Sequence, residues 1–218
     1  MRWPIFDGVP DAEVQRVLSI ARRRTFARGE VVFHADDPAD TLHLIVKGRF
    51  AARVQTAVGD TAILTVLGPG ELFGEVALLG SDQRRSATIE SLEAGETRSI
   101  FRDDFERLRR DHQGVSEVLI AILVGSVKRL SQHLLEALYV PSDKRVLRRL
   151  VELAGVYGAA DAGSVGIPLR QEDLAGLAGT SRATANRVLR EEEGRGTVSL
   201  GRGRITVLDS AALERRGR

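Results

Sequence analysis

Apolar positions recur with different periods in successive parts of this 218-residue chain. Val14, Val17, Leu18 and Ala21 share one helical face behind Asp11, a candidate N-cap, which predicts a short helix over 8–23. Between 25 and 100 the pattern shortens to β runs at 31–33, 42–46, 51–58, 62–67, 87–89 and 97–101. Gly29, Gly48, Gly59 with Asp60, Gly68, Gly70 and Gly80 punctuate them as tight turns require. Many short strands with frequent turns predict a β-roll or barrel.

Helical spacing returns over 102–109 and then along a long helix, roughly 114–139. On it Ile120, Leu123, Val127, Leu130, Leu134 and Ala137 alternate spacings of three and four, a heptad seam of the kind that pairs helices in a coiled coil. A helix packed on its own β-roll carries a similar stripe, so the seam leaves both arrangements open. Pro141 disfavours helical geometry before it, and Ser142 or Asp143 can cap a following helix over 143–157. The hinge and domain boundary are expected there, with 158–167 a loop.

Two segments carry candidate chemistry. In 68–88 glycines crowd a stretch flanked by strand-like runs, and Glu75 is followed ten positions later by Arg85 and Ser86. Gly74 has no side chain, so its backbone can approach a ligand closely. Exposed N–H groups there suit a phosphate, Arg85 offers fork geometry and charge, and Ser86 adds a hydroxyl. A phosphate would repel the Glu75 carboxylate, which suits a neutral donor such as a ribose hydroxyl. The competing reading is a Gly-rich hairpin with Glu75 and Arg85 as a surface ion pair of little worth.

In 171–190, Leu174, Leu177 and Ala178 give a short helix its apolar face, and Ala175 is small enough for close helix contact. Gly179 sits where a left-handed turn residue is wanted, and Ser181 can cap the helix that follows. Ala185, Val188 and Leu189 face that helix inward, leaving Arg182, Thr184, Asn186, Arg187 and Arg190 toward solvent. This is the helix-turn-helix pattern, whose second helix enters the major groove by its N-terminal part. Residues 198–207 then read as a hairpin with a basic, glycine-rich tip at Arg202 and Gly203, a wing against the phosphate backbone. A helical hairpin used only for packing would not need three exposed arginines and a basic wing.

Charge and composition sharpen this division. Residues 140–218 carry 14 basic and 10 acidic side chains, while 1–139 carry 18 and 20, so the excess of positive charge lies in the C-terminal part, where an anionic polymer would dock. The length suits two modest domains. With no cysteine there are no disulfides, thiolate metal sites or cysteine nucleophiles, which fits a reducing cytosol. The opening residues meet proline and acid before any long apolar run, so no signal peptide is expected. The most apolar segment, 115–127, contains Glu117 and reads as too short to span a bilayer. His34, His43, His112 and His133 never fall into metal-ligand spacing, and no Ser-His-Asp or Walker-type constellation is visible. No metal is expected.

The segment 68–88 resembles the phosphate-binding cassette of cyclic-nucleotide-binding domains. Followed by the long helix, hinge and winged helix-turn-helix, it makes nearly the whole chain similar to the cyclic AMP receptor protein (CRP/FNR) family of transcription regulators. The resemblance implies an α+β chain. It would have a jelly-roll-like cyclic-nucleotide-binding β-roll over 1–113, a dimerisation helix and hinge over 114–140, and a winged helix-turn-helix over 141–218. It implies a cytoplasmic homodimer, not an enzyme, under the control of a cyclic nucleotide, cyclic AMP ahead of cyclic GMP. Its partners would be double-stranded DNA, a second copy and RNA polymerase, with no membrane.

Carried over by motif, the ligand is expected at Gly74, Glu75, Thr65, Arg85 and Ser86, with Leu130 and Ser131 reaching it from the long helix. Ser181, Arg182 and Arg187 fall where the family contacts DNA; Arg182 and Arg187 are the candidates for guanine, and Arg170, Thr184, Arg190 and Arg202 for phosphates. Three departures matter. Ala183 stands where many members have a Glu that reads cytosine. Leu130 replaces the first member of a Thr-Ser pair. Glu192 and Thr197 stand where periodicity asks for apolar residues, so a locally weakened recognition-helix end is expected. A regulator that binds DNA with a purely structural cassette is the second reading. An enzyme with an appended sensor is a third, for which no residues remain.

Overall fold

The computed structural model describes residues 3–55, 59, 61–80, 83–158 and 163–218. The expected strand end at 56–58, Asp60 of its turn, Ser81 and Asp82 of the cassette segment, and 159–162 of the expected loop lie outside the described residues, as do Met1 and Arg2. The chain divides into two compact units, Met1–Val54 with Leu64–Arg129, and Gln55–Ile63 with Leu130–Arg218.

In the first unit a 3-10 turn, Pro4–Phe6, and helix α1, Asp11–Ile20, precede eight strands. These are β1 Arg22–Phe26, β2 Val31–Phe33, β3 Thr41–Lys47, β4 Phe50–Gln55, β5 Thr61–Leu67, β6 Leu72–Phe73, β7 Thr88–Ser91 and β8 Gly95–Phe101. They form two four-stranded sheets, β1-β8-β3-β6 and β2-β7-β4-β5, as the short-strand pattern predicts for a roll. One core gathers Phe26, Ile45, Phe50, Phe73 and Ile89. The other joins Leu42, Leu44 and Ile100 of the first sheet to Trp3, Val17, Phe105 and Leu119 of the flanking turn and helices. Trp3 is pinned by its indole N–H, which donates to the Ile45 carbonyl at 3.0 Å.

Two differences from the sequence reading stand here. The first helix begins after Pro10, with no side-chain cap from Asp11, and ends at Ile20. Arg22 and Arg23, read as its continuation, belong with Arg24 to β1, where the three are exposed and paired with Ser99, Arg98 and Thr97 of β8. Within the cassette, Glu75–Leu79 is a short helix, α2.

Helix α3, Arg102–Asp111, leads to α4, Gln113–Tyr139. Val115 and Leu119 of α4 are buried against the roll, while Ile120, Val127, Leu130 and Leu134 are exposed. The seam and the stripe that packs on the roll are therefore different faces of one helix. Over its 27 residues α4 is long and apolar enough, by length and composition, to cross a membrane. The expectation of too short a segment stopped at Val127, whereas the apolar spacing continues to Leu138.

The second unit contains α5 Ser142–Tyr157, β9 Val165–Ile167, α6 Gln171–Ala178, α7 Arg182–Gly194, β10 Val198–Gly201, β11 Arg204–Val207 and α8 Ser210–Gly217. Strands order β10-β11-β9, so Val165–Ile167, read as loop, is a strand paired with β11. A Cβ at Gly166 would collide with the Arg204 guanidinium, which lies across that backbone. Neither Ser142 nor Asp143 caps α5; Pro141 is its N-cap residue.

The end of the recognition helix is not the weak point the sequence suggested. Glu192 is 1% exposed, and its carboxylate accepts from Arg195 Nη1 at 2.8 Å, from Thr197 Oγ1 at 2.6 Å and from the Arg216 guanidinium. One carboxylate thus ties α7 to the first residue beyond its turn and to α8. Burial opposes its charged form, but the bonds from Arg216 and Thr197 outweigh this and hold the carboxyl below its ordinary value. Replacing Glu192 with Ala strands Thr197 and Arg216 and should cost about 2 kcal/mol, discounted because both arginines are partly exposed. Because its pKa is depressed, the stabilisation is full above the ordinary carboxyl value and fades as pH falls through the folded one. Denaturant melts of wild type and Glu192→Ala at neutral and acid pH check both; a difference that grows with acidity would contradict the assignment.

Candidate functional site

The cassette is built around a buried cation. Gly74 takes a left-handed conformation, φ 93°, ahead of α2. A Cβ there would stand 2.7 Å from Arg85 Nη1 and 3.0 Å from the Thr41 carbonyl, so only glycine leaves room for the guanidinium. Arg85 arrives on a segment bridged to the loop before β3: Arg84 pairs with Pro38, and the Arg85 N–H donates to Asp37 O at 3.0 Å. Its side chain donates from Nη1 to Thr41 O at 2.8 Å and from Nη2 to Thr41 Oγ1 at 2.9 Å, over the Phe33 ring 4.0 Å away. Asp40 lies 3.6 Å off, and Nε has no hydrogen-bond partner. Arg85 is 3% exposed and makes no ion pair with Glu75, so the surface-pair reading of these two residues does not describe this structure.

Burial lowers the Arg85 pKa from the usual arginine value, with Asp40, Asp37 and Glu75 working the other way. Burial likewise raises the Glu75 carboxyl, offset in part by its own backbone N–H and by Arg85. His43, two residues beyond Thr41, is 3% exposed; it bonds Thr97 Oγ1 at 3.0 Å through Nδ1 and stacks on Phe73 at 4.9 Å. Burial, then the charges of Arg85 and Arg24, push it down to about 3. Arg102 steadies α2 from below, donating to the carbonyls of Ala77 and Leu78 at 3.2 Å and of Ala39 at 2.9 Å.

Gly74, Glu75 and Arg85 are therefore brought together. Ser86 is exposed beside them, and Thr65 is half-buried on β5 of the second sheet. Leu130 and Ser131 lie exposed on α4, in the second unit. Thr41 and His43 were missed, since nothing local marks a strand residue 44 positions from the arginine it holds.

In the helix-turn-helix, Gly179 is left-handed at φ 58°, and Ser181 Oγ accepts from the Thr184 N–H at 3.1 Å, as read from sequence. Ala185, Val188 and Leu189 are buried. Arg182, Arg187 and Arg190 are exposed, but they are not equivalent. Arg187 is held by Asp143 and Glu191, both at 2.7 Å, Arg190 by Glu193 at 2.9 Å, and Arg170 by Glu172 at 3.2 Å. Arg182 and Arg202 have no carboxylate within ion-pair distance among the described residues. Arg204, which the sequence reading passed over, has none either. With Arg170, Arg182, Gly201 and Gly203 it lines a cleft of about 290 Å³. Its place next to Arg202 across Gly203 is the signal that could have found it.

Because the folded roll accepts only a neutral His43 ring, stability should be full above pH 6.5 and fall as pH drops toward about 3. His43→Asn should flatten that slope; an unchanged slope in denaturant titrations across this range would place the titrating group elsewhere.

Residues 23–112 match the cyclic nucleotide-binding domain family, and 144–216 the Crp-like helix-turn-helix domain family. The cyclic AMP receptor protein of Thermus thermophilus is 33% identical over 211 residues, 97% of this chain and 95% of its own. A CRP-like cAMP-activated global transcriptional regulator of Mycobacterium tuberculosis is 29% identical over 219 residues, 100% of this chain and 97% of its own. The structure of FixK2 from Bradyrhizobium japonicum covers 90% of this chain and 96% of that one, with a TM-score of 0.78 at 21% identity, a likeness of fold. A roll carrying a glycine-cradled arginine, a long helix and a winged helix-turn-helix in this order, with relatives aligned end to end, place the chain in the CRP/FNR family of DNA-binding transcription regulators that carry a cyclic-nucleotide-binding domain.

Proposed function

We propose that the chain acts as a cytoplasmic homodimer, not an enzyme, whose affinity for double-stranded DNA is set by a cyclic nucleotide, cyclic AMP ahead of cyclic GMP. The observation that carries this is Arg85, a buried guanidinium with an unpartnered Nε under a left-handed glycine. Such a site offers an anion both charge and a free donor. Two relatives whose names specify cyclic AMP support the choice of nucleotide. Bound there, the nucleotide supplies the negative charge. Arg85 and the Gly74 backbone would hold its phosphate, Glu75 its ribose, and Thr65, Ser86, Leu130 and Ser131 would complete the site. A ligand shifts the regulator only by its differential affinity for the DNA-competent state.

The functional division is 1–113 for sensing, 114–140 for dimerisation and hinge, and 141–218 for DNA. The occupant of the exposed α4 seam is a second copy: Ile120, Val127, Leu130 and Leu134 follow heptad spacing, and Leu134 is 60% exposed. Ser181, Arg182 and Arg187 meet the DNA, Arg182 and Arg187 reading guanine, while Arg170, Thr184, Arg190 and Arg202 position the domain on phosphates. RNA polymerase is the further partner of the assembled complex.

Arg85→Leu should cost about 2–5 kcal/mol of nucleotide binding, since a buried anion loses its partner, while the fold survives. Titration calorimetry of both proteins with cyclic AMP and cyclic GMP tests this. Equal affinity in a folded variant removes the site assignment. No heat with either nucleotide, alongside intact DNA binding, favours the reading in which the cassette is structural.

Leu134→Glu would bury a charge on pairing and should yield monomers in sedimentation. A dimer of wild-type affinity would mean the seam is covered otherwise.

A further inference from the structure

Arg187, read above as a base contact on the recognition helix, already has a carboxylate on each arm of its fork. Nη2 donates to Asp143 Oδ1 and Nη1 to Glu191 Oε1, each at 2.7 Å. Reading a guanine uses two parallel N–H donors toward O6 and N7. Each carboxylate takes one of the five N–H donors, and together they fix the orientation of the fork that a base would need to engage.

The two partners differ in kind. Glu191 lies four residues on along the same helix, with the arginine first, the weaker order for such a pair. Asp143 comes from another element, the first turn of α5, 44 residues earlier in the chain. It makes no cap bond to α5, whose N-cap residue is Pro141. Its interaction with Arg187 is thus not a by-product of helix capping. Both side chains are about half exposed, 48% for Asp143 and 51% for Arg187, so the pair adds little to the fold and is open to exchange. Arg182, one turn earlier and without a carboxylate partner, faces no such competition.

We propose that Asp143 restrains DNA binding by competing with the bases for the guanidinium of Arg187. A base pair that offers two acceptors recovers what Arg187 gives up on leaving the carboxylates; one that does not leaves Arg187 with Asp143 and gains nothing from it. Asp143 thereby lowers affinity for the right sequence by the pair that must be given up, and for wrong sequences by less, so it holds DNA binding down where the base contact is made. This rests on the reading of Arg187 as a base contact.

The test uses the full-length protein and a duplex selected by it from a random-sequence pool, with a scrambled duplex as control. Asp143→Asn should tighten binding to the selected duplex more than to the scrambled one, because only there does Arg187 leave the carboxylate. Against the selected duplex the gain should be about two- to fivefold, the range an exposed ion pair commands. In an Arg187→Ala background Asp143→Asn should change nothing beyond a small, sequence-independent gain from the lost phosphate repulsion. A melt shows that the variant is folded, and Glu191→Gln, which frees the other arm of the fork, should act in the same direction. Equal effects of Asp143→Asn with and without Arg187 would reduce Asp143 to a general surface charge and overturn the proposal. So would weaker binding by a folded Asp143→Asn, which would make the aspartate an orienting partner. If Arg187→Ala alone leaves affinity and base preference intact, the base-contact reading itself has failed, an outcome distinct from either.

Discussion

A guanidinium taken out of water is a severe demand, and Arg85 makes it at the centre of the cassette. Stripping an ion of its solvent costs several kcal/mol even after relaxation, so the surroundings must be built to receive it. Here a main-chain carbonyl and a hydroxyl of one residue, Thr41, take two of its donors, and the face of Phe33 lies against its plane. Each of those partners fixes something else. Thr41 opens β3, so the register of β3 against β8, with Thr41 opposite Phe101 and His43 opposite Ser99, is set where the arginine binds. Gly74 must have no Cβ. His43 must stay neutral, because a second cation beside Arg85 in the same core would find no counter-charge.

The second unit applies arginine differently, as a staple for carbonyls at helix ends. Arg145 donates to Ala137 and Val140 at the end of α4 and to Ala178 and Gly179 at the end of α6. Four carbonyls that helix geometry leaves without partners converge on one planar fork. Arg148 joins the Gly217 carbonyl at the end of α8 to Glu136 of α4, and Arg149 shares that buried carboxylate. The last turn of α4 is therefore tied to α5, α6 and α8 by arginine donors matched to carbonyl and carboxylate acceptors.

Which parts of this were legible follows from the range of the forces involved. The helix-turn-helix obeys local rules: a left-handed Gly179, a capping Ser181, and an apolar face of Ala185, Val188 and Leu189. Each is visible within a few residues. Gly74 and Arg85 were legible by spacing, while Thr41 was not, because its role exists only after β3 is placed. Strand β1 was misread because four of its five residues are exposed and three are arginines, so no alternation betrays it; pairing with β8 makes it a strand. Strand β9 was missed because Val165, Gly166 and Ile167 are too few to show a period. Glu192 looked like a fault in the pattern, and its explanation, Arg216, lies 24 residues further on.

The same distinction bears on what the charge of the DNA-binding part means. A surplus of arginine suggested a broadly attractive surface, but the arginines are not interchangeable. Arg145 and Arg149 are committed to internal acceptors, Arg216 to Glu192, and Arg190 and Arg187 to neighbouring carboxylates. A paired arginine contributes little field at a distance and must give up a partner before it meets a phosphate. Arg182, Arg202 and Arg204 have no such partner among the described residues. Arg182 stands at the N-terminus of the recognition helix, where the helix dipole adds to its charge, and the other two flank Gly203 of the wing. Arg182 and Arg204 line one cleft together with Arg170, and Arg202 adjoins it across Gly203. Counterion release counts the phosphates neutralised, not the basic residues present.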